Sequence, residues 1–111
     1  MQSVTEITPT EAKNQLNDSN KTVLIDIREP EECALAHLER AEYIPMSSVP
    51  AALQRLQTLA ESADLLVLCH HGVRSLQVVA WLRQCGLKNC YSVAGGIDRW
   101  SREIDPDIRR Y

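Results

Sequence analysis

Short runs of apolar and β-branched residues recur along the chain and alternate with segments that have a helical pattern. The runs cover Val23 to Ile27, Leu65 to Leu68 and Cys90 to Val93, and their length and residue types are typical of buried strands. Strands that alternate with helices pair in parallel, because each crossover returns the chain to the same edge of the sheet. The pattern predicts an α/β fold with an open parallel β-sheet of about five strands, flanked by helices on both faces.

Capping residues and apolar spacing predict the remaining elements. Thr8, Pro9 and Glu11 are typical of a helix start, and this helix is predicted to end near Leu16. Further predicted helices cover Glu29 to His37, Val49 to Ala60, Leu76 to Cys85 and Ile97 to Arg102, and a short strand covers Glu42 to Ile44. The tail, Asp105 to Tyr111, is polar and is predicted to be loosely held.

The composition indicates one domain, residues 1–111, with a modest core. Its hydrophobic fraction is 44% and its formal net charge is −3. No basic run is longer than a pair, so nucleic-acid binding is not expected. No membrane-spanning stretch is seen, and Met1 to Glu6 lacks a signal-peptide pattern, so we expect a cytoplasmic protein with no membrane partner. The cysteines show no disulfide-framework spacing and are expected to be thiols.

One cysteine stands at the end of the most apolar run, directly before a loop and a helix. The segment reads Cys69-His70-His71-Gly72-Val73-Arg74-Ser75. A helix N-terminus presents unpaired backbone N–H groups and the positive end of a dipole, which stabilise a thiolate or a bound anion. Gly72 allows the loop to turn N–H groups inward, and Arg74 adds a permanent positive charge. We therefore predict that Cys69 is a nucleophile and that the rest of the segment binds its substrate.

The two histidines beside this cysteine raise the question of a metal. Tetrahedral zinc needs four ligands at suitable spacings, and neither Cys-x-x-Cys nor a spaced histidine pair is present. We therefore expect no metal and no cofactor. Two interpretations of His70 and His71 stay open. Their rings carry partial positive charge that attracts anions, or they are exposed loop residues whose backbone N–H groups matter more.

Four segments, in this order, resemble the signatures of the rhodanese-like domain, of the single-domain sulfurtransferase type. They are Val23 to Glu32, Ala36 to Pro45, Cys69 to Ser75 and Ala94 to Trp100. The resemblance covers nearly the whole chain. Two departures are Glu39-Arg40, where the family often has Pro-Gly, and Cys33, where it often has an aromatic residue.

The resemblance implies a function and a set of partners. The function is transfer of sulfane sulfur from thiosulfate or a persulfide to a thiophilic acceptor, through a persulfide on Cys69. The implied partners are a small sulfur donor and a thiol or cyanide acceptor, with a sulfur-carrier protein as a further candidate. Asp26 and Arg28 resemble the family's Asp-x-Arg, which either shapes the substrate site or braces the strand end. We favour bracing, since buried charges need partners.

Two alternative functions stay open. Cysteine-dependent phosphatases and arsenate reductases of related fold place five residues between Cys and Arg and usually a His before the Cys. Here four residues separate Cys69 from Arg74, and Leu68 precedes the cysteine. The other alternative is a non-catalytic interaction module of the same fold, which would usually lose the cysteine that this chain keeps.

Overall fold

The computed structural model describes residues 5–18 and 21–111. Residues 1–4, on which the expected lack of a signal peptide partly rests, lie outside the described residues. The strands are β1 (Glu6–Ile7), β2 (Thr22–Asp26), β3 (Ala41–Tyr43), β4 (Asp64–Leu68) and β5 (Cys90–Val93). The helices are α1 (Pro9–Asp18), α2 (Pro30–Leu35), α3 (Leu53–Ala60), α4 (Val73–Gln84) and α5 (Gly96–Glu103).

The five strands form a parallel sheet in the order β1-β5-β4-β2-β3. The predicted fold class is therefore confirmed. The central strand, β4, has four leucine and valine side chains that are at most 1% exposed, as its apolar sequence indicates. The sequence analysis missed β1, because two residues are too short for a periodic pattern. Strand β1 joins the sheet because Glu6 and Ile7 pair with β5.

Helices cover both faces of the sheet, and the alternation along β4 separates two hydrophobic clusters. Leu65 and Val67 point to the face covered by α3 and α4, whereas Leu66 and Leu68 point to the face covered by α1 and α5. This alternation follows from the two-residue period of a strand. On the α1 and α5 face, Trp100 is buried in the core.

Three predicted segments differ from the structure. Helix α4 begins at Val73 instead of Leu76, because Gly72 has a left-handed φ of 96° and serves as its N-cap. The predicted helix over residues 49–60 begins only at Leu53, after two 3₁₀ turns, Met46–Ser48 and Pro50–Ala52.

The tail is the third difference, since its residues are tied to the domain. Arg110 Nε lies 2.9 Å from Asp98 Oδ1, and Ser101 Oγ donates to the backbone oxygen of Ile108. The Tyr111 hydroxyl reaches Glu32. The prediction of a loosely held tail is therefore wrong, because polar residues in it have partners on α2 and α5.

The loops that follow β2, β4 and β5 converge on one edge of the sheet. The backbone N–H of Ile27 donates to the oxygen of Leu68 at 3.0 Å, and that of Ile97 donates to the oxygen of Cys69 at 2.9 Å. The backbone N–H of Asp98 donates to the backbone oxygen of His70 at 3.1 Å. This convergence is expected at the carboxyl ends of parallel strands, and it places the cysteine loop between α5 and β2.

Gly96 is the point of closest approach between α5 and the cysteine loop. Its φ is +62°, and an added Cβ would lie 2.4 Å from the backbone oxygens of Cys69 and His70. We predict that Gly96→Ala lowers the free energy of unfolding by about 3 kcal/mol, since both strain and a backbone clash arise. Gly86 also has a positive φ, +98°, but a Cβ added there would have no atom within 4 Å. Gly86→Ala should therefore lower the free energy of unfolding by only about 1 kcal/mol. Urea unfolding measures both, and equal losses would contradict this prediction.

Candidate active site

Cys69 follows β4 directly, and its sulfur is surrounded by donors. The residue is 1% exposed. Its Sγ accepts hydrogen bonds from the backbone N–H of Gly72 at 3.1 Å and of Ser75 at 3.3 Å. The Ser75 hydroxyl oxygen lies 3.3 Å away. Hydrogen bonds from N–H groups to an anionic sulfur are charge-assisted and stabilise it, so the site suits a thiolate.

A second serine extends this set of donors. The hydroxyl oxygens of Ser75 and Ser92 are 2.7 Å apart, and both residues are fully buried. When Cys69 is a thiolate, the Ser75 hydroxyl can donate a hydrogen bond to the sulfur and the Ser92 hydroxyl can donate a hydrogen bond to Ser75. The sequence analysis missed Ser92. Its signal is a hydroxyl residue inside an otherwise apolar buried strand, where a polar group needs a partner.

Arg74 lies in the first turn of α4 and faces Glu32 on α2. The guanidinium and the carboxylate form two parallel bonds, NH1 to Oε1 at 2.7 Å and NH2 to Oε2 at 2.9 Å. The hydrogen bonds to Arg74 lower the pKa of Glu32 to about 2, and the same bonds raise the pKa of Arg74. The charge predicted to bind substrate is thus paired with a carboxylate, and substrate binding by Arg74 stays a prediction.

Tyr111 joins this ion pair to Arg28. Its hydroxyl donates to Glu32 Oε2 at 2.7 Å and accepts from Arg28 NH1 at 2.9 Å. Burial raises the pKa of Tyr111 to about 12, so the hydroxyl keeps its proton at neutral pH. Neither Glu32 nor Tyr111 was assigned to the site from sequence, because long-range pairing of polar residues leaves no local pattern.

Asp26 and Arg28 form a buried ion pair at the end of β2. Arg28 Nε lies 2.9 Å from Asp26 Oδ1, and NH2 lies 2.7 Å from Oδ2. Arg28 is 0% exposed and also donates to the backbone oxygen of Ala36 at 2.7 Å. This geometry favours the bracing interpretation, because every contact of the pair is internal.

The two histidines have different surroundings. The His70 ring stacks between the rings of His71 and Tyr111, with both centroid distances 3.8 Å. Burial, together with the nearby His71, lowers the pKa of His70, which favours the neutral form of its ring. His71 is exposed. The interpretation in which both rings carry positive charge is therefore disfavoured for His70.

The remaining cysteines lack the surroundings of Cys69. Burial raises the pKa of Cys33 to about 11, and its Sγ lies 3.7 Å from Asp26 Oδ2. Cys85 and Cys90 pack in or against the hydrophobic cluster on the α3 and α4 face, as small apolar groups do. Of the predicted binding residues, Gly72 and Ser75 touch the Cys69 sulfur, while Val73 is 66% exposed at the rim of the loop.

The chain matches the model of the family described as Rhodanese-like domain over residues 8–103. With that match, the chain belongs to the rhodanese-like domain family, and the resemblance seen in the sequence is confirmed. Cys69 lies within the matched residues, at the carboxyl end of β4.

Some relatives and solved structures of similar length are named sulfurtransferases. The chain is 32% identical to a sulfurtransferase of Allochromatium vinosum, over 95% of both chains. Its fold matches that of a human single-domain sulfurtransferase with a TM-score of 0.78 and 27% identity, over 91% of this chain and 98% of that one. The activity that the names of these two proteins share is sulfur transfer.

The chain is also similar to one part of a longer relative. The chain is 31% identical to the probable adenylyltransferase/sulfurtransferase MoeZ of Mycobacterium tuberculosis over 95% of its own length, but it spans only 26% of that protein. Within the described residues, no helix is long and apolar enough to cross a membrane.

The hydroxyl of Ser75 should affect the reactivity of Cys69. We predict that Ser75→Ala slows iodoacetamide labelling of Cys69 at pH 7 by about tenfold, because the thiolate loses a hydroxyl donor. Ser92→Ala should slow it less, and Ser62→Ala, which changes an exposed serine, should not slow it. Peptide mass spectrometry gives the rate for each cysteine. Equal rates for Ser75→Ala and Ser62→Ala would show that the hydroxyl does not act on the sulfur.

The Glu32–Arg74 pair should make stability depend on pH. The pKa of Glu32 falls to about 2 from a usual 4.5, so its carboxylate stabilises the fold above pH 4.5, and this contribution is lost as pH falls toward 2. We predict that Glu32→Gln lowers the free energy of unfolding by about 2 kcal/mol at pH 7, and by roughly half of that or less at pH 3.

Urea unfolding at pH 7, 5 and 3 measures this difference. The matched control is Glu31→Gln, which removes the same charge from an exposed neighbour on α2. Its effect should stay small at all three pH values. A loss for Glu32→Gln that does not change with pH would mean that the ion pair does not stabilise the fold.

Proposed function

We propose that the protein is a sulfurtransferase that carries sulfane sulfur on Cys69 as a persulfide. The observation that supports it most is the set of hydrogen bonds on one sulfur. The N–H groups of Gly72 and Ser75 donate to Sγ within 3.3 Å, and the Ser75 hydroxyl accepts from the thiol and can donate to a thiolate. These hydrogen bonds stabilise a negatively charged sulfur, so the mechanism needs no neighbouring general base to deprotonate Cys69.

The first half-reaction loads the cysteine. The Cys69 thiolate attacks the outer sulfur of a sulfane donor, a new S–S bond forms, and the S–S bond of the donor breaks. With thiosulfate, sulfite leaves with the bonding electron pair; with an organic persulfide, a thiolate leaves. Neither case needs a redox partner. The terminal sulfur of the product is negative, and loop N–H groups stabilise it as they stabilise the thiolate.

The second half-reaction returns the thiolate. An acceptor nucleophile attacks the terminal sulfur of the persulfide, takes it, and leaves Cys69 with the electron pair of the broken bond. Cyanide would give thiocyanate, and a thiolate would give a new persulfide. The exposed Val73 and Leu76 beside the loop are apolar contacts that a sulfur-carrier protein could use. A cytoplasmic location stays a prediction.

The alternatives are less well supported by the geometry. A phosphatase binds a dianionic ester with its loop arginine, yet Arg74 is occupied by Glu32 through two bonds, which places a carboxylate beside the site. A non-catalytic module has no need of a fully surrounded cysteine. Phosphate-ester hydrolysis is therefore the appropriate negative assay.

Replacing the nucleophile gives a direct test. We predict that Cys69→Ser lowers thiosulfate–cyanide sulfur transfer by roughly a thousandfold or more, because a serine hydroxyl is a far weaker nucleophile toward sulfur. Cys85→Ser, which changes a partly buried cysteine away from the loop, should keep most of the activity. Thiocyanate is followed by colorimetry, with p-nitrophenyl phosphate as the negative substrate. Normal turnover by Cys69→Ser would exclude the mechanism.

A further inference from the structure

The arginine that adjoins the reactive sulfur in sequence is already paired. Arg74 is bound to Glu32, and the buried Arg28 is bound to Asp26. Burial lowers the pKa of His70, which favours its neutral form. A donor that enters the loop therefore meets the backbone N–H groups beside an arginine whose charge is compensated by a carboxylate.

We propose that Glu32 is a positioning residue that holds Arg74 and cancels its charge, so that Cys69 accepts sulfur from a singly charged organic persulfide in preference to the thiosulfate dianion. This inference rests on the proposed function of Cys69 as the sulfur carrier. It concerns which class of donor the loop favours, and it names a residue that lies outside the cysteine loop.

The carboxylate is fixed on both of its oxygens. Oε1 accepts from Arg74 NH1 at 2.7 Å and from the backbone N–H of Glu29 at 3.1 Å. Oε2 accepts from Arg74 NH2 at 2.9 Å and from the Tyr111 hydroxyl at 2.7 Å. With its usual four acceptor positions filled, the carboxylate cannot move aside without breaking several bonds. The Glu32 side chain is also only 18% exposed.

The position of Arg74 makes this pairing relevant to the reaction. Arg74 directly precedes Ser75, whose N–H and hydroxyl contact the Cys69 sulfur. Since Glu32 neutralises the guanidinium, an incoming dianion gains little from Arg74 and is repelled by the carboxylate. A persulfide with one negative charge meets less repulsion. The electric field of the Arg74–Glu32 pair falls off faster with distance than the field of an unpaired arginine would. The pair therefore attracts an approaching anion less than a free Arg74 would.

The test isolates the first half-reaction. Purified protein is mixed with thiosulfate or with the persulfide of 2-mercaptoethanol, and the rate at which Cys69 gains one sulfur is read by intact-protein mass spectrometry. In both reactions the donor S–S bond breaks, and either sulfite or 2-mercaptoethanol thiolate leaves. The ratio of the two second-order rate constants, taken from initial rates before the released sulfite or thiolate can remove the sulfur again, is the donor preference.

Glu32→Gln is the central variant, because the amide keeps the shape and can still accept from Arg74 while its charge is gone. We predict that it raises the thiosulfate rate constant by about tenfold, and changes the persulfide rate constant by less than about twofold. Glu32→Asp keeps the charge and should keep the wild-type preference. Glu31→Gln, the matched control for net charge, should alter neither rate by more than about twofold.

Arg74→Ala, combined with Glu32→Gln, checks the route by which Glu32 acts. The gain with thiosulfate should disappear, since the freed guanidinium is what attracts the dianion. Circular dichroism at pH 7 establishes that each variant is folded. The salt dependence of the thiosulfate rate should be steeper in Glu32→Gln than in wild type, which a purely structural role of Glu32 would not produce.

Three results would overturn the proposal. One is a thiosulfate rate in Glu32→Gln that equals that of Glu31→Gln; a second is an equal fall for both donors; a third is a gain that persists without Arg74. Absence of any sulfur on Cys69 of the wild-type protein with either donor is a different result. It would refute the proposed function itself, so the two failures are distinguishable.

Discussion

The buried guanidinium of Arg28 is the contact on which the architecture of the site depends. It bonds Asp26 at the end of β2, the backbone oxygens of Glu32 and Ala36 on and after α2, and the Tyr111 hydroxyl. A charge removed from water is costly unless its donors are satisfied. Satisfying them here requires the strand end, the helix α2 and the tail to stay together.

From this guanidinium the arrangement extends to the reacting sulfur through a short series of contacts. Tyr111 holds Glu32, Glu32 holds Arg74, and Ser75, the next residue, contacts Cys69. The other side of the loop is held by α5, whose N–H groups bond the backbone oxygens of Cys69 and His70. Loop geometry is therefore determined by distant residues as much as by the loop's own sequence.

Features that depend on local sequence patterns were predicted, and features that depend on contacts between residues far apart in sequence were not. Four of the five strands, the approximate places of the helices and the place of Cys69 after β4 were predictable, because apolar periodicity and a Gly-containing turn after a strand are local patterns. Ser92, Glu32 and Tyr111 were missed, since each acts through a partner far away in sequence. The start of α4 was misplaced by three residues, because a Gly N-cap lacks the side-chain signal that a Ser or Asp would give.

The enclosure of the sulfur has a consequence for how affinity should be understood. Because Cys69 is 1% exposed, we expect its thiolate to reach the outer sulfur of a donor only in those molecules whose loop has opened. The observed dissociation constant of the donor would then be the intrinsic dissociation constant divided by the open fraction. Substitutions that loosen the loop can strengthen apparent binding without any new contact to the donor, simply by enlarging the open population.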